Sequence, residues 1–383
     1  SSGASSGAGS AGAGSEGEES PGGYRRGGYH PVREGEKFGG AGRGRYRVTG
    51  KLGWGHFSTV WRVREEGGPR AGRELALKVQ KSAAHYAEAA RDEIELLRQV
   101  ARGWGPDRPP ETLPVVLLED SFEHSGPHGR HVCMVFEKLG DNLLELIKRF
   151  DYRGLPLAVV RMLTRETLRG LDFLHRELKI IHTDLKPENI MIDGEGHLRL
   201  TDFGLSKEVT GKTYTYTFCG TPEYIAPEIL RGEGHGKSVD WWSLGLVCCE
   251  MLTAEHPFYS KDREAMYKSI LKEPPKTKLA PPSIAVDFLC RLLEKNPTKR
   301  LGALGGGAEV KAHPFFEGVD WHAVLCKTVS MPHIPFRRES TDVQNFDSTF
   351  TRQKAAVSAS EATGPRLQGT LFTAFEFSQT GRD

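Results

Sequence analysis

The hydrophobic period of this chain switches once, near Gly140, and that switch limits the fold more than any other feature. Before it, Tyr46–Leu52, Ser58–Arg64 and Leu75–Gln80 alternate or cluster β-branched and apolar residues between glycine-rich turns, as strands do. Val115–Leu118 and His131–Phe136 read as two more strands, joined by the polar stretch Glu123–Arg130. One helix interrupts them over Ala83–Val100, with Ala90, Ile94 and Leu97 on one face. After Gly140, the segments Leu143–Phe150, Leu157–Glu177, Ser238–Thr253, Arg263–Leu271 and Ile284–Glu294 all suit helices. A small antiparallel sheet with one helix, followed by a helical unit, is an α+β arrangement with a cleft between its parts.

The flanks differ. Residues from Ser1 to about Gly28 are mostly Ser, Gly and Ala, too poor in apolar surface to offset the entropy of ordering, and are expected to be disordered. Beyond Phe316 the periodicity fades, which predicts a C-terminal tail partly docked on the domain. The 383 residues suffice for two lobes plus these tails.

Composition excludes several classes. A net charge of +2 gives no field to hold a nucleic acid. The N-terminus has no apolar stretch, so no signal peptide is expected. The run Leu244–Leu252 is short and contains Glu250, which predicts a buried helix and no membrane span. The six cysteines form no C-x-x-C pair and read as buried free thiols in a reducing compartment.

Four motifs carry chemistry. From Leu52, the run Gly53-Trp54-Gly55-His56-Phe57-Ser58-Thr59-Val60 lies between two strands, and its glycines let backbone N–H groups approach phosphates. Ser58 stands where a third glycine is usual, and a plain hairpin turn is the competing reading. Lys78 ends the apolar strand residues Ala76-Leu77, where a charge needs a partner; Glu93 in the following helix can supply it, and a snorkelling surface lysine is the alternative. In His182-Thr183-Asp184-Leu185-Lys186-Pro187-Glu188-Asn189, Asp184 can accept a hydroxyl proton, Lys186 can offset phosphoryl charge and Asn189 can ligate Mg²⁺. In Asp202-Phe203-Gly204, Asp202 offers a second oxygen ligand. Ala226-Pro227-Glu228, Asp240-Trp241-Trp242 and Arg300 follow in order. Each is weak alone; the ordered set is specific.

The set resembles the protein-kinase pattern, and the resemblance runs from about Tyr46 to the C-terminus as a mosaic. Residues 28 to about 189 resemble the SR-protein kinases through Gly28-Tyr29-His30-Pro31-Val32, the run Lys51 to Trp61, His131-Val132-Cys133-Met134-Val135-Phe136-Glu137 and His182-Thr183-Asp184. The remainder resembles the AGC family, nearest its ribosomal-protein kinases, through Thr201 to Glu208, Thr217 to Tyr224, Asn345-Phe346-Asp347-Ser348 and Phe372-x-x-Phe375-Glu376-Phe377. SR-protein kinases usually carry a long spacer after the catalytic loop and a variant of the Asp-Phe-Gly motif, and this chain has neither. Most AGC kinases have Arg where Thr183 stands.

The resemblance implies a bilobal protein-kinase fold over 46–316, with an N-lobe of about 46–139, a C-lobe of about 140–316 and an AGC tail over 317–383. It implies ATP and Mg²⁺ as cofactors, Phe136 as gatekeeper and Glu137 to Leu139 as the adenine hinge. It makes Thr217 the activation-loop phosphosite of an upstream kinase; with Thr183 in place of Arg, Lys207 and Arg199 remain as phosphate partners, so phosphorylation is expected to activate this chain less than usual. Phe372, Phe375 and Phe377 would dock beside the Glu93 helix with Glu376 as a fixed charge, or simply patch the core. Phe346 would edge the adenine site, and Ser358 sits near the turn-motif phosphosite without a following proline. Glu188 and Glu223 stand where Arg-rich protein substrates are read. A monomer in the cytoplasm or nucleus is expected. The function implied is a Ser/Thr protein kinase; the alternatives are a catalytically weak pseudokinase-like scaffold or a fused gene. A pseudokinase normally lacks one of Lys78, Glu93, Asp184, Asn189 and Asp202, and all are present.

Overall fold

The computed structural model describes residues 21–39, 45–209, 214–279 and 283–328. The tail residues Phe346, Ser358, Phe372, Phe375, Glu376 and Phe377 lie outside them, as do residues 1–20. Strands Lys37–Phe38 (β1), Arg45–Trp54 (β2), Ser58–Glu66 (β3), Glu74–Gln80 (β4), Leu118–Gly126 (β5) and Gly129–Glu137 (β6) form an antiparallel sheet in the order β1-β2-β3-β4-β6-β5. The period-2 pattern sets its faces. Leu75, Leu77 and Val79 of β4 enter an outer cluster with Val32, Phe38, Trp61, Val63 and Val135. Ala76 and Lys78, on the opposite face, look into the cleft.

Between β4 and β5 runs helix Ala84–Trp104 (α1), whose buried face carries Ala90, Ile94 and Leu97, and Glu93 with them. The helical lobe then contains Leu143–Arg149 (α2), Leu157–Phe173 (α3), Pro227–Leu230 (α4), Ser238–Thr253 (α5), Arg263–Lys272 (α6), Ile284–Leu292 (α7), Gly306–Lys311 (α8) and Trp321–Leu325 (α9). Side chains cap several starts: Asn142 accepts the Glu145 N–H, Asp262 those of Glu264 and Ala265, and Ser283 that of Val286. Helix α5, holding the Leu244–Leu252 run, is buried over nearly its whole length, and no helix is long and apolar enough to cross a membrane among the described residues. Two short antiparallel pairs follow. Ile180–Ile181 (β7) pairs with Lys207–Glu208 (β10), and Ile190–Ile192 (β8) with Leu198–Leu200 (β9). One core cluster joins the lobes, from Ile94 and Leu97 through Phe136, Leu139 and Phe203 to Leu244 and Leu289.

The structure corrects four expectations. The polar stretch Glu123–Arg130 is no connecting loop; β5 and β6 run through it and close at Gly126 and Gly129. An edge hairpin tolerates polar residues, and Glu123 bonds Arg91 and Arg130 there. Val115 instead pairs with Leu200, so of Val115–Leu118 only Leu118 belongs to a strand. The expected disorder up to Gly28 reaches too far. Residues 21–28 are folded by backbone bonds from Gly27 N to His128 O (3.1 Å) and from Ala83 N to Gly27 O (2.9 Å). Composition hides this because the contacts are glycine backbone: a Cβ on Gly28 would meet Gly23 O at 2.0 Å. Finally, Cys133, Cys248 and Cys249 are buried free thiols, but Cys290 and Cys326 are exposed. At the other end, Trp321 packs on Phe316 and Lys327 pairs with Asp193 at 2.8 Å, docking the start of the tail.

Candidate active site

Sheet and helical lobe enclose a cleft of about 380 Å³. Its apolar slot is made by Leu52 and Val60 above, Met191 below, and Ala76, Val116 and Leu139 around them. Such a slot between two lobes suits a flat heterocycle. Phe136 and Glu137 line its inner end, where the Glu137 carboxylate accepts the Leu117 N–H at 3.0 Å and fixes the exit from β6. Ala76, Val116 and Met191 were not singled out from sequence; position i−2 from Lys78 on one strand face was the signal for Ala76.

The glycine-rich loop is the β2–β3 hairpin. Gly53 and Gly55 have open space where a Cβ would stand, which leaves backbone free for close approach. Ser58 closes the turn, its carbonyl accepting the Gly55 N–H at 2.8 Å. Leu52, Gly53, Trp54, Gly55, Ser58 and Val60 line the cleft. His56, Phe57 and Thr59 do not. Thr59 points away and accepts the Trp61 Nε1–H at 2.8 Å, while Phe57 is exposed and leans on Tyr86. One residue missed from sequence holds the loop from outside: buried Tyr29 donates its hydroxyl to Gly55 O at 2.7 Å.

Three charges meet at the back of the cleft. Lys78 Nζ lies 2.9 and 3.0 Å from the two Glu93 carboxylate oxygens and 3.1 Å from Asp202 Oδ1. Burial opposes the ammonium charge, but the Asp202 and Glu93 carboxylates outweigh it and hold Lys78 above its usual range. Lys78 in turn pulls Asp202 below the ordinary carboxylate range, against its burial. The surface-lysine alternative is thereby removed. Phe203 is buried beside His182, so Asp202 faces the cleft.

The catalytic-loop residues gather below. Asp184 Oδ1 accepts from Thr221 N (2.9 Å) and Thr221 Oγ1 (2.7 Å); Asp184 Oδ2 accepts from Asn189 Nδ2 and Lys186 Nζ, each at 3.1 Å. Thr221, a second missed residue, also accepts from Lys186 Nζ at 2.7 Å. The loop hangs on Asp240. This fully buried carboxylate accepts from the backbone N–H groups of His182 (2.8 Å) and Thr183 (2.9 Å), and bonds His175 Nε2 at 2.7 Å. Burial disfavours its charge, but His175 and these N–H donors keep it below the ordinary range. With that anchor Thr183 sits at φ 67° and Asp202 at φ 60°, backbone strain of the kind that collects at working sites. Below them, Glu228 and Arg300 form a buried two-bond pair at 2.7 and 2.8 Å.

The activation segment departs from expectation at Arg199. Thr183 donates to Leu205 O at 2.6 Å, and Lys207 Nζ reaches exposed Thr217 Oγ1 at 2.5 Å. Arg199 does not reach Thr217. It is buried beneath the hinge side, donating to the carbonyls of Glu111 and Leu113, because β9 turns its side chain inward. Beside the cleft, exposed Glu188 and half-buried Glu223 are joined by Glu250, which sequence reading saw only as a charge in an apolar run. Burial first, then the carboxylates of Glu188 and Glu223, raise Glu250 to about 7, while Tyr224 donates to it at 2.7 Å and works against the shift. Glu250 lines a second groove of about 540 Å³ with Glu255, Tyr152 and Tyr259.

Residues 46–316 match the protein kinase domain. The chain is 39% identical over 343 residues to mouse (Mus musculus) ribosomal protein S6 kinase alpha-4, covering 84% of this chain and 42% of that protein. It is 54% identical over 288 residues to the serine/threonine-protein kinase SRPK of Physarum polycephalum, covering 61% and 65%. It is 43% identical over 243 residues to the serine/threonine-protein kinase YPK1 of Saccharomyces cerevisiae, covering 63% and 34%. The chain therefore spans from about a third to just under two thirds of the length of these relatives. Both resemblances read from the motifs are present among them, and with the cleft geometry and the matched domain in hand, the chain belongs to the protein kinase family.

Proposed function

We propose that this chain is an ATP-dependent protein serine/threonine kinase that phosphorylates Ser or Thr in Arg-rich proteins. The observation that carries this is the single cleft in which Lys78, Glu93 and Asp202 meet opposite the Asp184, Lys186, Asn189 and Thr221 cluster. The adenine would occupy the slot between Leu52, Val60 and Met191, and the Gly53–Gly55 backbone would cover the phosphates. Lys78 would pair with phosphate oxygens, held on station by Glu93. A substrate hydroxyl would replace Thr221 Oγ1 at Asp184, which takes its proton as the oxygen attacks the γ-phosphorus and ADP leaves. Lys186, at 3.1 Å from Asp184, offsets charge on the phosphoryl group in flight.

Mg²⁺ fits the donor set. Asn189 spends its amide N–H on Asp184 O at 2.8 Å, which leaves its carbonyl oxygen as a donor, and the ionised Asp202 carboxylate adds oxygen ligands of the kind a hard cation takes. When bound, the ion neutralises phosphate charge. Glu188, Glu223 and Glu250 support the choice of arginine upstream of the target, whether in an R-x-R-x-x-S sequence or an Arg/Ser repeat. Thr217 is the proposed target of an upstream kinase, with a modest effect. Mg²⁺-dependent transfer of labelled γ-phosphate onto an arrayed peptide library tests activity and specificity together, with Asp184→Asn as the inactive control. Transfer unchanged by Asp184→Asn, or no preference for arginine, would overturn the corresponding half of this reading.

A further inference from the structure

In the N-lobe, at residues that do not line the cleft, two histidines converge on one carboxylate. His30 Nε2 lies 2.8 Å from Glu36 Oε1, and His124 Nε2 lies 3.6 Å from the same oxygen. All three donor atoms fall within 4.8 Å of one another. Both rings bond the Glu36 carboxylate, so two imidazole nitrogens and a carboxylate oxygen converge on one point. The other carboxylate oxygen accepts the Arg33 N–H at 2.9 Å, which fixes the aim of Glu36. The rings are fixed too. Phe38 leans on His124 at 4.3 Å between centroids and meets His30 edge-on at 5.7 Å. Gly126 allows the β5–β6 hairpin to close on His30, since a Cβ there would stand 2.3 Å from His30 Nδ1.

We infer that His30, Glu36 and His124 form a binding site for a zinc-class divalent cation, with water as the fourth ligand. Zinc takes imidazole nitrogen and carboxylate oxygen at about 2.0–2.2 Å, so the edges of its tetrahedron are about 3.4 Å. The two histidine–carboxylate spacings bracket that value, and the third edge, within 4.8 Å, closes with side-chain shifts that sum to about 1.4 Å at most. His30 is buried, but Glu36 and His124 keep side-chain exposures of 24% and 21%, which leaves a solvent face for entry and for the water. Imidazole ligands select zinc-like ions over Mg²⁺, so this site and the Asn189–Asp202 pair would not compete for one metal. The ion would clamp the segment before β1 to β5. That segment includes Tyr29, the residue whose hydroxyl holds Gly55 O.

The test uses the full chain, stripped with EDTA and returned to millimolar Mg²⁺. Zn²⁺ is titrated calorimetrically, and Co²⁺ is followed by its visible absorption. The expected result is one tight equivalent with the intense bands of four-coordinate Co²⁺, together with a Zn²⁺-dependent rise in Tm. Glu36→Gln and His124→Ala should weaken that equivalent by at least about 100-fold and abolish the Tm shift. His124→Gln, at a partly exposed position, serves as a folded second variant, checked by its metal-free Tm. Binding by the variants equal to the parent would place the ion on other histidines or on exposed Cys290 and Cys326 and overturn the inference, as would absence of a tight equivalent in the parent.

Discussion

With Glu250 as a reader of substrate arginine, as proposed above, recognition would depend on pH in a direction that can be worked out. Burial and the Glu188 and Glu223 carboxylates place it at about 7, against 4.5 for an ordinary glutamate. An arginine keeps its charge at every accessible pH and pairs only with the ionised carboxylate. At pH 6 about one-tenth of Glu250 is ionised, and at pH 8 about nine-tenths. The apparent KM for an Arg-containing peptide should therefore fall by about tenfold between pH 6 and pH 8, since only the ionised fraction binds. A matched peptide with that arginine replaced by alanine should show little change. Glu250→Gln should flatten the KM profile and raise KM at pH 8 by about 10- to 100-fold, the worth of one charge-assisted bond. Stability moves the opposite way. A carboxyl raised in the folded state binds more protons folded than unfolded between pH 4.5 and 7, so stability is lost as pH rises through that window. Glu250→Gln should raise Tm at pH 8, by up to about 3 kcal/mol of stability, and not at pH 4. Steady-state KM and thermal melts across pH 6 to 8 check both. A KM slope that survives in Glu250→Gln, or that is equally steep for the alanine peptide, would show that another group titrates and refute the argument.

The same geometry makes other outcomes definite. Lys78→Ala should lower kcat/KM by at least about 100-fold in a phosphoryl-transfer assay, with the circular dichroism spectrum unchanged. Glu228→Gln leaves Arg300 buried and unpaired and should cost about 3–5 kcal/mol in denaturant unfolding, while replacing both partners with apolar residues should cost less. Thr217→Ala should reduce activity less than about tenfold relative to the Thr217-phosphorylated chain, because among the described residues Lys207 is the cation that reaches it. A drop of several orders of magnitude would show that the phosphate finds a stronger receptor. Tyr29→Phe removes one hydrogen bond from the glycine-rich loop and should raise KM for ATP about fivefold with kcat nearly unchanged.

Most of the architecture was readable because it is carried by periodicity. Helix α5 spans Ser238–Thr253 as the apolar run predicts, and Lys78 and Glu93 meet because strand and helix each expose one residue to the same face. What escaped was carried by backbone or by distant partners. Gly27 and Gly28 fold through main-chain bonds that composition does not register. The assignment of Arg199 to Thr217 rested on its neighbourhood in sequence, but β9 turns that side chain into the core. Thr221 and Asp240 stand within motifs that were noticed, yet their partners, Asp184 and the backbone of His182 and Thr183, lie far along the chain. Glu250 looked like an interruption in an apolar helix because its meaning comes from Tyr224 and two other glutamates.

The two family signatures meet near Asn189, in the middle of the catalytic loop, and the contacts across that seam explain which properties survive it. Lys78 reaches Asp202, Asp184 reaches Thr221, and His182 and Thr183 hang from Asp240, each pair drawing one partner from either side. These are short bonds between charged or backbone groups. They need only a correct position, and this sequence supplies each group there, so the cleft closes. Regulation would differ, because a phosphate on Thr217, the phosphosite proposed above, would find Thr183 where the AGC resemblance implies an arginine. Thr183 spends its hydroxyl on Leu205 O instead, bracing the segment after Asp202 without any phosphate. The loop is thus held by a neutral bond, where the AGC resemblance implies a charged, phosphate-dependent one. With Thr217 as the phosphosite proposed above, the chain would keep the geometry of phosphoryl transfer and lose most of the leverage by which phosphorylation would switch it on.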